Sequence, residues 1–366
     1  MFLVLVAILA GLVIGVGVYL QHPKFGQLPK GERLGKIKLS PHYAEGEFNN
    51  LDPSPLFTEK GNALAAAFKY LFTRKERPAP PSPIPTVKTN FLNLDKTEDL
   101  VVWLGHSSYY IQLGGQRFLL DPVFSPNAAP VPLVNEAFAG TNIHTAEDFP
   151  EIDYLLISHD HWDHLDYPTV KALKPRIRKV ICPLGVGAHF ERWGWAASAI
   201  DEKDWNTGLR IGDDMSIHVL PARHFSGRLL TRNQSLWASF ALVSPKHRLF
   251  FSGDSGYGRH FAEMGLKWGG FDYVFLDSGQ YNDQWPLVHM TPEESAKAAE
   301  DLKAGAVIPA HVGRFSIAYH SWDEPFQRFS AAAQGKPYRF LTPKIGEPVN
   351  LDDPRQRFSR WWESIL

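Results

Sequence analysis

The chain has 366 residues, 44% hydrophobic and 21% charged, values that exclude wholesale disorder and a collagen-like repeat. With 38 basic residues against 39 acidic ones the formal charge is −1, so no global basic field exists to hold nucleic acid. A single cysteine, Cys182, excludes an internal disulfide framework and a cysteine-based zinc cluster, while 15 histidines are many for this length.

Residues 1–20 form an uninterrupted apolar run, long enough to cross a bilayer core of about 30 Å as a helix. No Lys or Arg precedes the run and no small-residue cleavage site closes it, which favours an uncleaved transmembrane anchor over a signal peptide. Lys24, Lys30, Arg33, Lys36 and Lys38 follow, and the positive-inside bias then places the downstream domain in the cytoplasm, as part of a single-pass protein of the inner membrane. Gly11 and Gly15 stand in a G-x-x-x-G spacing that is common in membrane helices anyway, so a homodimer is left open. Residues 21–89 read as a connector. The stretch 21–58 is rich in turn formers and looks extended. Over 59–75, Leu64, Ala67, Phe68, Leu71 and Phe72 recur at helical spacing among Lys60, Lys69, Arg74 and Lys75. That pattern suits a helix packed on the domain or one lying on anionic lipid. Five prolines in 77–85 make the end of the connector stiff.

From about residue 90 to 366, short β-rich runs alternate with helical stretches, the pattern of a layered α/β domain. Strands are expected at 100–104, 109–113, 117–120, 154–158, 179–182, 216–220, 235–243, 248–252, 273–276 and 306–309. Gly114-Gly115 marks a two-residue hairpin. Helices are expected at 167–173, 187–193 and 292–302, the last opened by Thr291, Pro292 and Glu294 as a capping box with proline at the first position.

The run from Tyr154 to Ser158 is an apolar strand, and His159, Asp160, His161, Asp163 and His164 crowd the turn after it. Imidazole and carboxylate are the groups zinc or iron takes as ligands. A turn lets His159 and His161 point to one centre while Asp163 and His164 point to another. One loop cannot complete two sites. His224, Asp254 and His311 each stand where another apolar run ends, and groups at strand ends along one sheet edge converge, as a binuclear centre requires.

The order H-x-H-x-D-H followed by His, Asp and His resembles the metallo-β-lactamase superfamily, which implies a four-layer αββα sandwich with two metal ions, zinc or iron. Ser40-Pro41-His42-Tyr43 with Gly46, Phe48 and Asn50, Trp103-Leu104-Gly105-His106-Ser107-Ser108, Asp121-Pro122-Val123-Phe124 and His311-Val312-Gly313-Arg314-Phe315 narrow it. These phrases resemble the N-acylphosphatidylethanolamine-hydrolysing phospholipases D and their bacterial relatives. The resemblance implies His159, His161 and His224 on one metal, Asp163, His164 and His311 on the other, and Asp254 bridging. It further implies catalytic roles for Asp163 and Asp254, with His289 beside the substrate, and a membrane phospholipid phosphodiester as substrate. Asp121 is placed to accept an imidazole N–H, and His320 to line or support the pocket. Val312 and Arg314 depart from the family's Trp and Thr. The alternative is hydrolysis of a lactone, thioester or other soluble ester by the same centre. A nuclease suits the neutral chain poorly, and so complete a ligand set argues against a metal-binding scaffold without activity.

Overall fold

Apolar runs with no polar alternation need cover on both faces, and two stacked sheets flanked by helices supply it. The computed structural model describes residues 2–56, 75–212, 214–228 and 231–365. A short hairpin, β1 (Tyr43–Ala44) and β2 (Glu47–Phe48), precedes the sandwich. The first sheet holds β3 (Leu100–Gly105), β4 (Ser108–Leu113), β5 (Gln116–Leu120), β6 (Ile152–Leu156), β7 (Ile177–Pro183) and β8 (Ile200–Lys203). The second holds β9 (Thr207–Ile211), β10 (Met215–Leu220), β11 (Ser239–Val243), β12 (Arg248–Phe251), β13 (Phe271–Asp277), β14 (Ala304–Ala310) and β15 (Arg339–Phe340). The last strand, β16 (Pro348–Asn350), returns to pair antiparallel with β3.

Side chains alternate across each strand, so each sheet has two faces to bury. Val101 and Trp103 of β3 meet Phe240, Phe251, Phe275 and Ile308 between the sheets. Their neighbours Val102 and Leu104 point the other way, to join Leu155, Val180 and the helices α3 (Tyr167–Leu173) and α4 (Gly187–Arg192) through Val170, Leu173 and Phe190. On the far side Leu220, Phe250, Val274 and Val307 pack on α5 (His260–Trp268), α6 (Pro292–Asp301) and α7 (Glu324–Ala332) through Phe261, Met264, Ala298 and Phe329. Three apolar layers therefore separate four structural ones, the expected αββα order.

The expected hairpin forms at Gly114 and Gly115, both left-handed with φ of 55° and 71°, closing Leu113 against Gln116. Two expectations need correction. The strand expected over 235–243 begins only at Ser239, because Leu236 and Ala238 donate their N–H groups to Leu184 and Ser158 at the ends of the first sheet instead. The stretch 21–58 is not simply extended: residues Gly31–Ile37 are helical, with Leu34 and Ile37 on one face against the core. Phe48 and Ile84 of the connector are also buried between the sheets. The helix expected over 59–75 falls outside the described residues except for Lys75.

The N-terminal run is the helix α1 (Phe2–Leu20), without a charged residue and with its described side chains exposed. At 1.5 Å per residue it spans roughly 28 Å, just under a bilayer core. Among the described residues no helix is long and apolar enough to cross a membrane, so the expected transmembrane helix over 1–20 is not borne out. Its foot is firmly attached. Tyr19 Oη and Lys24 Nζ donate to the Pro130 carbonyl at 2.6 and 2.5 Å, and the buried Phe25 packs edge-on against Trp162.

His144 sits in an aromatic nest with Phe91 and Phe149, and neither ring nitrogen has a hydrogen-bond partner among the described residues. Burial first, then the charge of Lys88, pushes its pKa down to about 4. Between the unfolded value near 6.5 and 4 the unfolded chain binds a proton that the native state refuses, so native stability falls as pH drops through that window. His144→Phe should remove up to about 3 kcal/mol of that acid loss. Urea unfolding of wild type and variant at pH 7 and pH 4.5 measures it, and equal losses in both proteins would refute it.

Candidate metal centre

Asp121 follows β5 in a left-handed conformation and roots the loop that follows β6. Its Oδ1 accepts the Ser158 N–H at 2.7 Å, and its Oδ2 accepts from His164 Nδ1 at 2.7 Å and Ser158 Oγ at 2.5 Å. At the other end of the loop Asp166 caps α3 by accepting the Thr169 N–H. A rigid root and a rigid exit hold His159, His161, Asp163 and His164 between them. The strand ends of the second sheet bring His224, Asp254 and His311 to the same place.

Two groups take in all seven, each with one ligand-capable atom per residue within 4.8 Å of the others: His159, His161, His224 and Asp254, and His106, Asp163, His164 and His311; a third joins Asp254 and His311 to Asp277 and His289. Asp254 belongs to the first and reaches the second. Its Oδ1 lies 3.1 Å from His164 Nε2, and its Oδ2 lies 3.3 Å from His311 Nε2, 3.6 Å from His224 Nε2 and 3.7 Å from His159 Nε2.

The hydrogen bonding around these atoms fits a cation. His224 Nδ1 donates to the Val288 carbonyl at 2.9 Å, which leaves its Nε2 an acceptor, 3.2 Å from His161 Nδ1. His161 Nδ1 is in turn 2.9 Å from His159 Nε2. Three ring nitrogens converge where bare lone pairs would repel, and a metal ion satisfies them together. His164, with Nδ1 committed to Asp121, likewise turns Nε2 toward Asp254 Oδ1, and neither atom has a hydrogen-bond partner among the described residues.

Electrostatics divide the groups. Burial holds His159 and His224 well below the usual histidine range and pushes His161 down to about 4, so these rings are neutral, as ligands must be. Burial acts the same way on His164 and His311, but carboxylates outweigh it. Asp254 and Asp163 hold His164 well above its ordinary value, and Asp254 with Asp277 pushes His311 up to about 10. Asp163 and Asp254 stay well below the carboxylate range against their own burial, chiefly through His164. A dication would take the place of the protons held there.

The structure brings together all seven expected metal residues, and Asp121 accepts an imidazole N–H as expected. His289 lies at the edge, its ring stacked on His311 with centroids 4.8 Å apart and its Nδ1 2.8 Å from Asp277 Oδ2. His320 does not join them. Its Nε2 accepts the Gln280 N–H and its Nδ1 donates to the Ser321 carbonyl, so it braces a loop and belongs to none of the metal-capable groups among the described residues. Arg314 is wholly buried behind the site, donating to the Leu104 and Ser125 carbonyls and to Asn142. Two residues escaped the sequence reading. His106 Nε2 lies 3.0 Å from Asp163 Oδ2, and Asp277 Oδ1 lies 3.3 Å from His311 Nδ1. Asp277 ends an apolar strand as Asp121 and Asp254 follow theirs, and that repetition was the available signal.

A four-layer sandwich whose facing strand ends gather histidines and carboxylates into two adjoining groups defines a metal-dependent hydrolase. The chain belongs to the β-lactamase superfamily: the family described as "Beta-lactamase superfamily domain" matches residues 116–312. It is 39% identical over 327 residues to an uncharacterized protein of Mycobacterium tuberculosis, covering 88% of this chain and 87% of that one. It is 29% identical over 274 residues to the N-acyl-phosphatidylethanolamine-hydrolyzing phospholipase D 1 of Caenorhabditis elegans, covering 69% of this chain and 75% of the relative. Among solved structures, a metallo hydrolase from the archaeon Ignicoccus hospitalis shares the fold with a TM-score of 0.54 at 18% identity, over 69% of this chain and 98% of that one.

Proposed function

We propose that this centre holds two metal ions, zinc or iron, and hydrolyses a phosphodiester bond of a membrane phospholipid. N-acylphosphatidylethanolamine is the first candidate, with N-acylethanolamine and phosphatidic acid as products. The observation that carries the reading is Asp254, one carboxylate within 3.1–3.7 Å of histidines from both groups, as a pair of ions flanking a phosphoryl group would share it. Bound there, the ions would supply Lewis acidity and make a water nucleophilic near neutral pH.

The chain's own residues do the rest. His159, His161 and His224 would hold one ion, and Asp163, His164 and His311 would hold the other. Asp121 fixes the His164 ring by accepting its Nδ1–H, which keeps Nε2 free to bind. Asp277 holds His289 by Nδ1, which leaves Nε2 to carry a proton to the departing alkoxide. The exposed apolar side chains of α1 (Phe2–Leu20) support a location at a bilayer. The likeness to the nematode phospholipase supports a lipid substrate, while Val312 and Arg314 allow a headgroup preference of this chain's own.

Metal-loaded protein given vesicles containing N-acylphosphatidylethanolamine is expected to release N-acylethanolamine and phosphatidic acid, read by mass spectrometry. Brisk turnover of a soluble lactone or thioester with no phospholipid product would replace this reading with that of an esterase on the same centre.

A further inference from the structure

The family match begins at residue 116, yet a residue far upstream touches the metal centre. The Asn50 carboxamide reads both polar groups of the His224 peptide: its Oδ1 accepts the His224 N–H at 3.0 Å, and its Nδ2 donates to the His224 carbonyl at 2.8 Å. Trp237 Nε1 donates to the same Oδ1 at 3.0 Å, which fixes the amide's orientation. Together with the bond from His224 Nδ1 to Val288, this clamps His224 at three points, and Nε2 is the only ring atom left to turn toward His161 and Asp254.

Asn50 is itself held. Phe48, two residues before it, is fully buried between the sheets and donates its N–H to the Asn233 carbonyl at 2.9 Å. Asn233 returns a bond from Nδ2 to Glu47 and accepts the Ser226 N–H. The hairpin at 43–48 thus docks on the segment that carries His224. Beyond Asn50, Leu51, Pro53 and Leu56 line a cavity of about 590 Å³ together with His224, Phe225 and Val288.

We propose that Asn50 is a positioning residue for the metal centre, setting the His224 imidazole through its backbone, and that the segment around it is a wall of the substrate cleft. The proposal rests on His224 being a metal ligand. Removing the clamp lets the His224 peptide rotate, so one ion should bind more weakly while the other, held by Asp163, His164 and His311, is little changed. Outer partners that orient ligands typically contribute about 10–100-fold in metal affinity.

The test uses the full chain, stripped of metal and titrated with Zn²⁺ against a chromogenic chelator and with Co²⁺ by visible absorption. Asn50→Ala is expected to lower the affinity for one of two ions about 10–100-fold and to alter the Co²⁺ band of that ion only. Asn50→Asp keeps the acceptor for the His224 and Trp237 N–H groups, so it should recover part of the loss. Asn49→Ala breaks local bonds to Ala44 and Glu47 in the same hairpin without touching His224, and should bind both ions normally. Two ions bound at wild-type affinity by Asn50→Ala, or equal weakening by Asn49→Ala, would overturn the proposal. Should Asn50→Ala not fold without metal, Asn50→Asp decides: wild-type affinity and an unchanged band would overturn it too. His224→Ala separates the underlying reading, since two tightly bound ions in that variant would remove His224 as a ligand whatever Asn50 does.

Discussion

Replacing Asp254 with asparagine is expected to abolish hydrolysis and to lower bound metal from two ions per chain to one or none. Asparagine keeps the shape of the side chain and removes its charge, so folding is disturbed little while both groups lose the carboxylate they share. His164 and His311 owe their raised proton affinity largely to Asp254, which means the attraction that would hold a dication near them also falls. Deleting an outer partner typically costs about 10–100-fold, and removing a shared inner ligand should exceed that range. Metal analysis of the purified variant, alongside its circular dichroism and its activity, decides the matter. Two ions per chain with full activity in Asp254→Asn would end the bridging assignment.

His289→Ala should slow phospholipid hydrolysis about 10²–10⁴-fold, the usual worth of a positioned general acid. Metal content should stay at two ions, because His289 acts on the leaving group. The chemistry offers an internal control. An ethanolamide alkoxide is a poor leaving group and needs a proton, whereas a nitrophenolate departs without one. The variant should therefore retain most of its activity on a nitrophenyl phosphodiester. Equal losses on both substrates would refute the acid role. Loss of an ion would instead make His289 a ligand, in the group it forms with Asp254, Asp277 and His311.

Much of the centre is legible in the sequence because its residues follow one rule, a polar group within a few residues of the end of an apolar strand. The rule works for His159, His224, Asp254 and His311, since a strand buried on both faces must be apolar and its end is where polarity can resume. Asp277 closes an apolar strand in the same way, but the family phrases that single out the other ligands do not include it. His320, expected to line or support the pocket, has its ring spent on two backbone groups, which no local pattern reveals. The helix at Glu324–Ala332 and the one at His260–Trp268 were also missed. In the latter, Gly265 lowers helix propensity, and only the close passage of the Asp301 carbonyl, which a side chain there would strike, explains the glycine. That contact lies 36 residues away along the chain, beyond the reach of local pattern. The clamp by Asn50 on His224 spans 174 residues and was invisible for the same reason.

The two groups expected to hold the ions each draw on both sheets. His159 and His161 follow β6 of the first while His224 and Asp254 follow strands of the second, and His106, Asp163 and His164 likewise face His311. A loaded centre is therefore a pair of cross-links across the sandwich, joining segments that the unfolded chain keeps far apart. Cross-links that close long loops remove many conformations from the unfolded ensemble, and a site absent from that ensemble adds its binding free energy to folding. Chelation would then loosen the seam between the sheets at its functional edge, while Phe240, Phe251 and Phe275 continue to hold the body of the interface together.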